Sequence, residues 1–241
     1  MEERLQKILA QAGVGSRRHC EQIITDGRAC VNDIPAILGQ KADPAIDKIT
    51  IDGRLIKPPD QKLYLALYKP RYVLSTVEAE RGDSRQTVHD LIPIAERLYP
   101  VGRLDYDSEG LILMTNDGEL ANRLTHPRYR HEKEYRVLIS RRPDNHQLDT
   151  WCRGIILSNG HHTAPARVWL ETSFGKGAWL RVVLREGRKH QIREIGKLLG
   201  LPVIKIIRVR IGSLHLGKLK PREWRYLTPK EVSLLKAHDE I

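Results

Sequence analysis

Residues 103–117, RLDYDSEGLILMTND, join an acidic loop directly to an apolar run. LILMTND at 111–117 reads as a strand, and Asp117-Gly118 turns the chain into a helix, ELANRL. A strand-end loop therefore carries three alternating carboxylates, Asp105, Asp107 and Glu109, closed by Gly110. This is how a calcium loop opens. The twelfth position, where that loop needs a bidentate glutamate, is Asn116, which is neutral. A calcium loop also lies between helices, whereas Pro100 precedes this segment and a β-like run follows it. Calcium does not fit. Spacing alone leaves open a magnesium pair, an acid/base pair, or one aspartate as nucleophile with the others as scaffold. Arg103 and the downstream segment REGRKHQIR, 185–193, supply cations for the last reading. A guanidinium keeps a nearby carboxylate ionised and orients it.

The charge balance points to a polyanionic partner. The chain of 241 residues carries a net charge of +11 and a pI near 9.7. Residues 181–225 hold 13 Lys and Arg against three acidic residues, while 1–60 hold nine of each sign. That concentration favours nucleic acid. No apolar run reaches the length of a membrane span. The start, MEERLQKILAQAG, is amphipathic and lacks the apolar core of a secretory leader. Three cysteines without a CxxC (Cys20, Cys30 and Cys152) argue for reduced thiols, a cytoplasmic location and no structural zinc.

Leu5, Ile8, Leu9 and Ala12 follow helical spacing, stopped at Gly13 and Gly15. Ser16 caps a second helix that turns Cys20, Ile23 and Ile24 inward and ends at Gly27. Short strands follow: RACV, a turn at Asn32-Asp33, and KITI before Asp52-Gly53. KPPDQK, 57–62, reads as a linker. Beyond it come a strand ended by Pro70, a loop-rich stretch with a short helix near 87–98, and the 111–117 strand. Strands at EKEYRVLIS, ARVWLETS, GAWLRVVLREG, VIKIIRVRIGSLHL and EWRYLTP alternate with helices near 141–154, 190–200 and the C-terminus. The expected class is α+β: a small α/β domain over 1–60, then a domain over 61–241 with a mostly antiparallel mixed sheet.

VGRLDYDSEGLILMTNDGELANRLTHP, 101–127, resembles the signature of the RsuA/RluB family of ribosomal-RNA pseudouridine synthases. KEYRV at 133–137, EGRKHQIR at 186–193 and IGSLHLGKLKPREWRYL at 211–227 are similar to three further family segments. The first 32 residues resemble the S-four-like RNA-binding domain that precedes the catalytic domain in most members. Two departures stand out. LYKPRY places Tyr68 and Tyr72 where the family pattern L-N-K-P-x-G has Asn and Gly, and Glu194 follows Q-I-R where many members have Arg.

The resemblance implies site-specific isomerisation of uridine to pseudouridine in ribosomal RNA, without cofactor or metal. It implies Asp105 as the catalytic aspartate, Tyr135 as the tyrosine stacked on the target base, and Arg193 as the arginine paired with Asp105. Asp107 and Glu109 are then expected to cap loop amides or pair with arginines. Arg4, Lys7, Arg17, Arg18 and Arg28 are the expected phosphate-contacting face of the first domain. Arg17 and Arg18 sit at the wrong end of their helix for its dipole, which such contacts would explain. Arg188, Lys189, Lys205, Arg208 and Arg210 are expected along the main RNA track, and Arg103 at an RNA phosphate or in support of the loop. The expected partner is large-subunit ribosomal RNA, as naked RNA or within an assembly particle, met by a monomer. The alternatives are the small-subunit RNA, an RNA-binding assembly factor without chemistry, and a magnesium-dependent nuclease using Asp105 and Asp107.

Overall fold

The structure is a computed structural model and describes residues 1–57, 59, 61–80 and 82–237. It divides into two compact units, the first comprising Met1–Lys62, Ile94–Arg97 and Asn116–Gly118, the second the remainder. Pro58 and Asp60 of the expected linker lie outside the described residues.

In the first unit, β1 (Glu3–Arg4) leads into α1 (Leu5–Gln11) and α2 (Arg17–Thr25). The Ser16 hydroxyl accepts from the His19 N–H at 3.2 Å, as an N-cap should. Strands β2 (Ala29–Val31), β3 (Ile34–Pro35), β5 (Ile49–Ile51) and β6 (Arg54–Leu55) form an antiparallel sheet in the order β3-β2-β5-β6, and β4 (Lys41–Ala42) pairs with β1. Asn32-Asp33 and Asp52-Gly53 take left-handed φ values in its two hairpin turns. Leu5, Ile8, Leu9, Cys20, Ile23 and Ile24 from the helices bury against Ala29, Val31, Ile49 and Ile51.

The second unit is built on a nine-stranded sheet. Its strands are β7 (Tyr64–Lys69), β8 (Tyr99–Pro100), β9 (Glu109–Thr115), β10 (Lys133–Ile139), β11 (Arg167–Phe174), β12 (Gly177–Leu184), β13 (Val203–Ile211), β14 (Leu214–His215) and β15 (Trp224–Tyr226). The main path runs β11-β12-β10-β13-β9-β7-β15, with β14 on β13 and β8 on β9. The β9–β13 pairing is parallel, and the others are antiparallel. Helices α3 (Gly118–Thr125), α4 (Asn145–Arg153), α5 (Gln191–Leu198) and α6 (Pro229–Lys236) complete it. Ile206 and Ile207, neighbours on β13, enter different cores, so the two cores lie on opposite faces. One core joins Val137, Leu180 and Val182 to Trp151 of α4 and Ile192 and Ile195 of α5. The other joins Leu111 and Leu113 to Leu120, Leu124 and Leu235 of α3 and α6.

The helix expected near 87–98 is only a 3₁₀ turn, His89–Leu91. Pro93 disfavours helical backbone at the residue before it, and Ile92 is accordingly extended, at φ −121° and ψ 98°.

Candidate active site

The loop before β9 is held by buried cations rather than by its own carboxylates. Lys69, the last residue of β7, has no solvent exposure. Its Nζ donates to the carbonyls of Ser108 at 2.7 Å, Pro70 at 3.1 Å and Tyr106 at 3.4 Å. Arg208 of β13 is 1% exposed, with Nε donating to the Leu111 carbonyl at 2.8 Å and Nη1 to the Arg103 carbonyl at 3.2 Å. The Ser75 hydroxyl both donates to the Leu104 carbonyl and accepts from the Leu104 N–H. Burial lowers the Lys69 pKa to about 8 against the opposing pull of Asp107 and Asp105, so the ammonium persists at neutral pH. Lys133 is lowered to about 8 by burial and by the charge of Arg208.

Lys69→Met is expected to remove a charged donor from three carbonyls, costing about 2–3 kcal/mol. Thermal unfolding should show the catalytic unit melting roughly 4–12 °C lower. The folded pKa of Lys69 lies below that of a free lysine, so the unfolded chain binds more protons between pH about 8 and 10. Stability from this site rises with pH over that window, and in Lys69→Met only the like rise from Lys133 remains.

Each loop carboxylate has its own neighbour. Asp107 pairs with Arg193 Nη2 at 2.6 Å, and Glu109 with Lys205 Nζ at 2.5 Å. Asp105 Oδ1 lies 3.5 Å from His190 Nε2, an ion pair when the imidazole is protonated. His190 caps α5 with a left-handed backbone, φ 57°. Gln191 pins the preceding loop, donating to Glu186 at 2.6 Å and accepting from the Arg188 N–H at 3.2 Å. Asp105 opens into a cleft whose walls include Arg103, Ser108, Tyr135, Arg188 and His190. Tyr135, 8% exposed, projects from β10, and the buried Ser108 hydroxyl has no protein partner. Among the described residues no group of three or more His, Cys, Asp or Glu could hold a metal ion.

Several expected contacts are corrected. Arg193 is paired with Asp107 rather than with Asp105, and the cationisable neighbour of Asp105 is His190. Glu109 pairs with a lysine, not an arginine. Arg208 is buried beneath the loop and cannot line an RNA track. Arg210 bridges Glu132 and Glu134 in a cross-strand ion network with Arg136, Arg167, Arg181, Arg185 and Glu171. Lys205 is committed to Glu109. Arg188, Lys189 and Arg103 are exposed, and Arg103 and Arg188 reach the cleft. In the first unit Arg4, Arg17 and Arg18 are exposed, whereas Lys7 pairs with Glu3 and Arg28 with Asp52. Lys69 and His190 were not singled out in the sequence. A lysine ending a strand looks like any solvated charge, and nothing local marks a histidine that will cap a helix.

The arrangement suits chemistry on a base drawn into the cleft, which is lined by a carboxylate, an aromatic ring and exposed cations. Residues 63–195 match the family model for RNA pseudouridylate synthases. The chain belongs to that family. The match spans Asp105, Tyr135 and the other cleft residues named above. Residues 3–42 match the S4 domain. An uncharacterized RNA pseudouridine synthase of Aquifex aeolicus is 40% identical over 98% of this chain and 94% of its own length. The ribosomal large subunit pseudouridine synthase B of Bacillus subtilis is 40% identical over 98% of this chain and 96% of its own. A crystal structure of a pseudouridylate synthase superposes with a TM-score of 0.69 at 26% identity, covering 96% of this chain and 99% of that one.

Proposed function

We propose that this pseudouridine synthase acts on large-subunit ribosomal RNA, with Asp105 as its nucleophile. The observation that carries the reading is that Asp105 and Tyr135 line one cleft together with the exposed Arg103 and Arg188. The large-subunit target is supported by the near-full-length likeness to synthase B of Bacillus subtilis.

A stacked uridine is out of reach of this cleft, so the nucleotide is extruded, at a cost of a few kcal/mol that an unpaired loop reduces. Tyr135 stacks on the base. Asp105 attacks C1′, and the bond between N1 and C1′ breaks as an ester to the carboxylate forms. The freed uracil rotates, C5 joins C1′, and the ester bond breaks to return Asp105 as a carboxylate. C5 then loses its proton and N1 gains one, so the product is an isomer and no electrons are exchanged. Arg193 acts through Asp107, keeping the loop's second carboxylate away from the first. Exposed Arg17 and Arg18 contact phosphates, as do Arg188 and Lys189. The same reading has the protein working in the cytoplasm as a monomer.

Tritium release from transcripts labelled at C5 of uracil tests this, with chelator present. The expected result is release from large-subunit RNA and none from small-subunit RNA. Release from the small-subunit RNA alone overturns the target. Release that chelator abolishes favours metal-dependent chemistry. No release from either RNA, nor from assembly particles that the protein binds, leaves an RNA-binding factor without this reaction.

A further inference from the structure

Directly behind the catalytic loop lies a surface that the reaction does not use. Tyr72 follows β7 by three residues and adopts φ 63°, the left-handed region where glycine is at ease and a tyrosine is not. Its N–H donates to the Tyr106 carbonyl at 2.6 Å, which fixes the turn whatever side chain stands there. Tyr72 is 57% exposed. Its ring stands 5.6 Å from the ring of Tyr106, the residue immediately after Asp105, tilted by 59°. Both rings are flanked by guanidinium groups: Arg71 lies 5.0 Å from the Tyr72 centroid and Arg85 5.0 Å from that of Tyr106. Arg71 Nε also donates to the Asp107 carbonyl, tying this cluster to the loop. Arg222 reaches the same neighbourhood through Gln86. Asp83 is held by Arg85, and Glu80 also acts on that guanidinium.

A ring kept exposed on a backbone that disfavours it, beside a second ring and three arginines, has the parts of a nucleic-acid stacking platform. We propose that Tyr72 and Tyr106 form a subsite for an unpaired RNA base flanking the extruded uridine, with Arg71 at an adjoining phosphate. Base stacking supplies affinity there for single-stranded RNA, and the rigid turn sets how far from the target uridine the flanking base must lie. The inference rests on the reading of this chain as an RNA-modifying enzyme.

The test is equilibrium binding of decauridylate and of the same ten-nucleotide backbone lacking all bases. Tyr72→Gly and Tyr72→Asn suit the left-handed backbone and remove the ring, while Tyr72→Phe keeps it. Both ring-less variants are expected to bind decauridylate about five- to 150-fold more weakly. They should bind the abasic strand as the native protein does, and Tyr72→Phe should bind both as native. In the tritium assay they should raise KM and leave kcat at saturating RNA unchanged. Equal losses on both strands would make Tyr72 a merely structural residue and overturn the proposal, as would unchanged binding of decauridylate. Native tritium release with unchanged Tyr72→Gly binding would defeat the subsite alone. Base-dependent loss without any tritium release would defeat the synthase reading and leave the subsite standing.

Discussion

Asp105→Asn should release no detectable tritium from an RNA that the native protein modifies, a fall of at least about 10⁴-fold in rate. The amide has nearly the carboxylate's shape but none of its charge, so it cannot attack. The scaffold does not depend on this side chain. Lys69, Arg208 and Ser75 hold the loop through the backbone carbonyls of Arg103, Leu104, Tyr106 and Ser108. The side-chain neighbour lost is His190, which is itself exposed. RNA affinity should therefore stay within about twofold of native. Residual release near the native rate would move the nucleophile elsewhere, with Asp107 the first residue to examine.

Gly110→Ala should prevent the catalytic unit from folding. Gly110 has φ 110°, a backbone that alanine rarely adopts. It also lies in the parallel pairing of β9 with β13, opposite Arg208. A Cβ there would sit 2.5 Å from the Arg208 backbone nitrogen and closer still to its carbonyl oxygen. Both atoms belong to a central strand, so neither can swing aside. Strain and collision together should exceed about 4 kcal/mol, a large part of a domain's stability. Loss of the unit's calorimetric transition, or of soluble protein, is expected. A variant melting within about 2 °C of native would mean that the two strands can part here at little cost.

Local chemistry made much of the fold legible. Ser16, Asn32-Asp33, Pro70 and Gly200 punctuate the chain by mechanisms that act over a few residues, and the elements beside them stand where expected. Pro93 was the exception: its restriction reaches back onto Ile92 and leaves one turn where a short helix was expected. At the site, the motif placed Asp105 and Tyr135, and the structure brings them to one cleft. The contacts among charges were not legible. Arg208 and Arg210 are two apart in a basic run, yet one lies under the loop and the other in an ion lattice over the sheet. A bulge between their pairings with Glu134 and Tyr135 separates them, and no count of charge along the chain reveals it. The departures from the family pattern also fall on different ground. Tyr68 is buried in the core, Glu194 accepts from the Ser158 N–H and hydroxyl, and Tyr72 faces solvent.

The parallel pairing of β9 with β13 also sets when the protein becomes competent. Arg208 reaches back 97 residues to the Leu111 carbonyl. Translation delivers the acidic loop early and the strand that supports it late. Until β13 has emerged, the loop lacks the guanidinium beneath it, and β10, which carries Tyr135, has no neighbour to seat it beside β9. A nascent chain thus carries Asp105 but no assembled cleft.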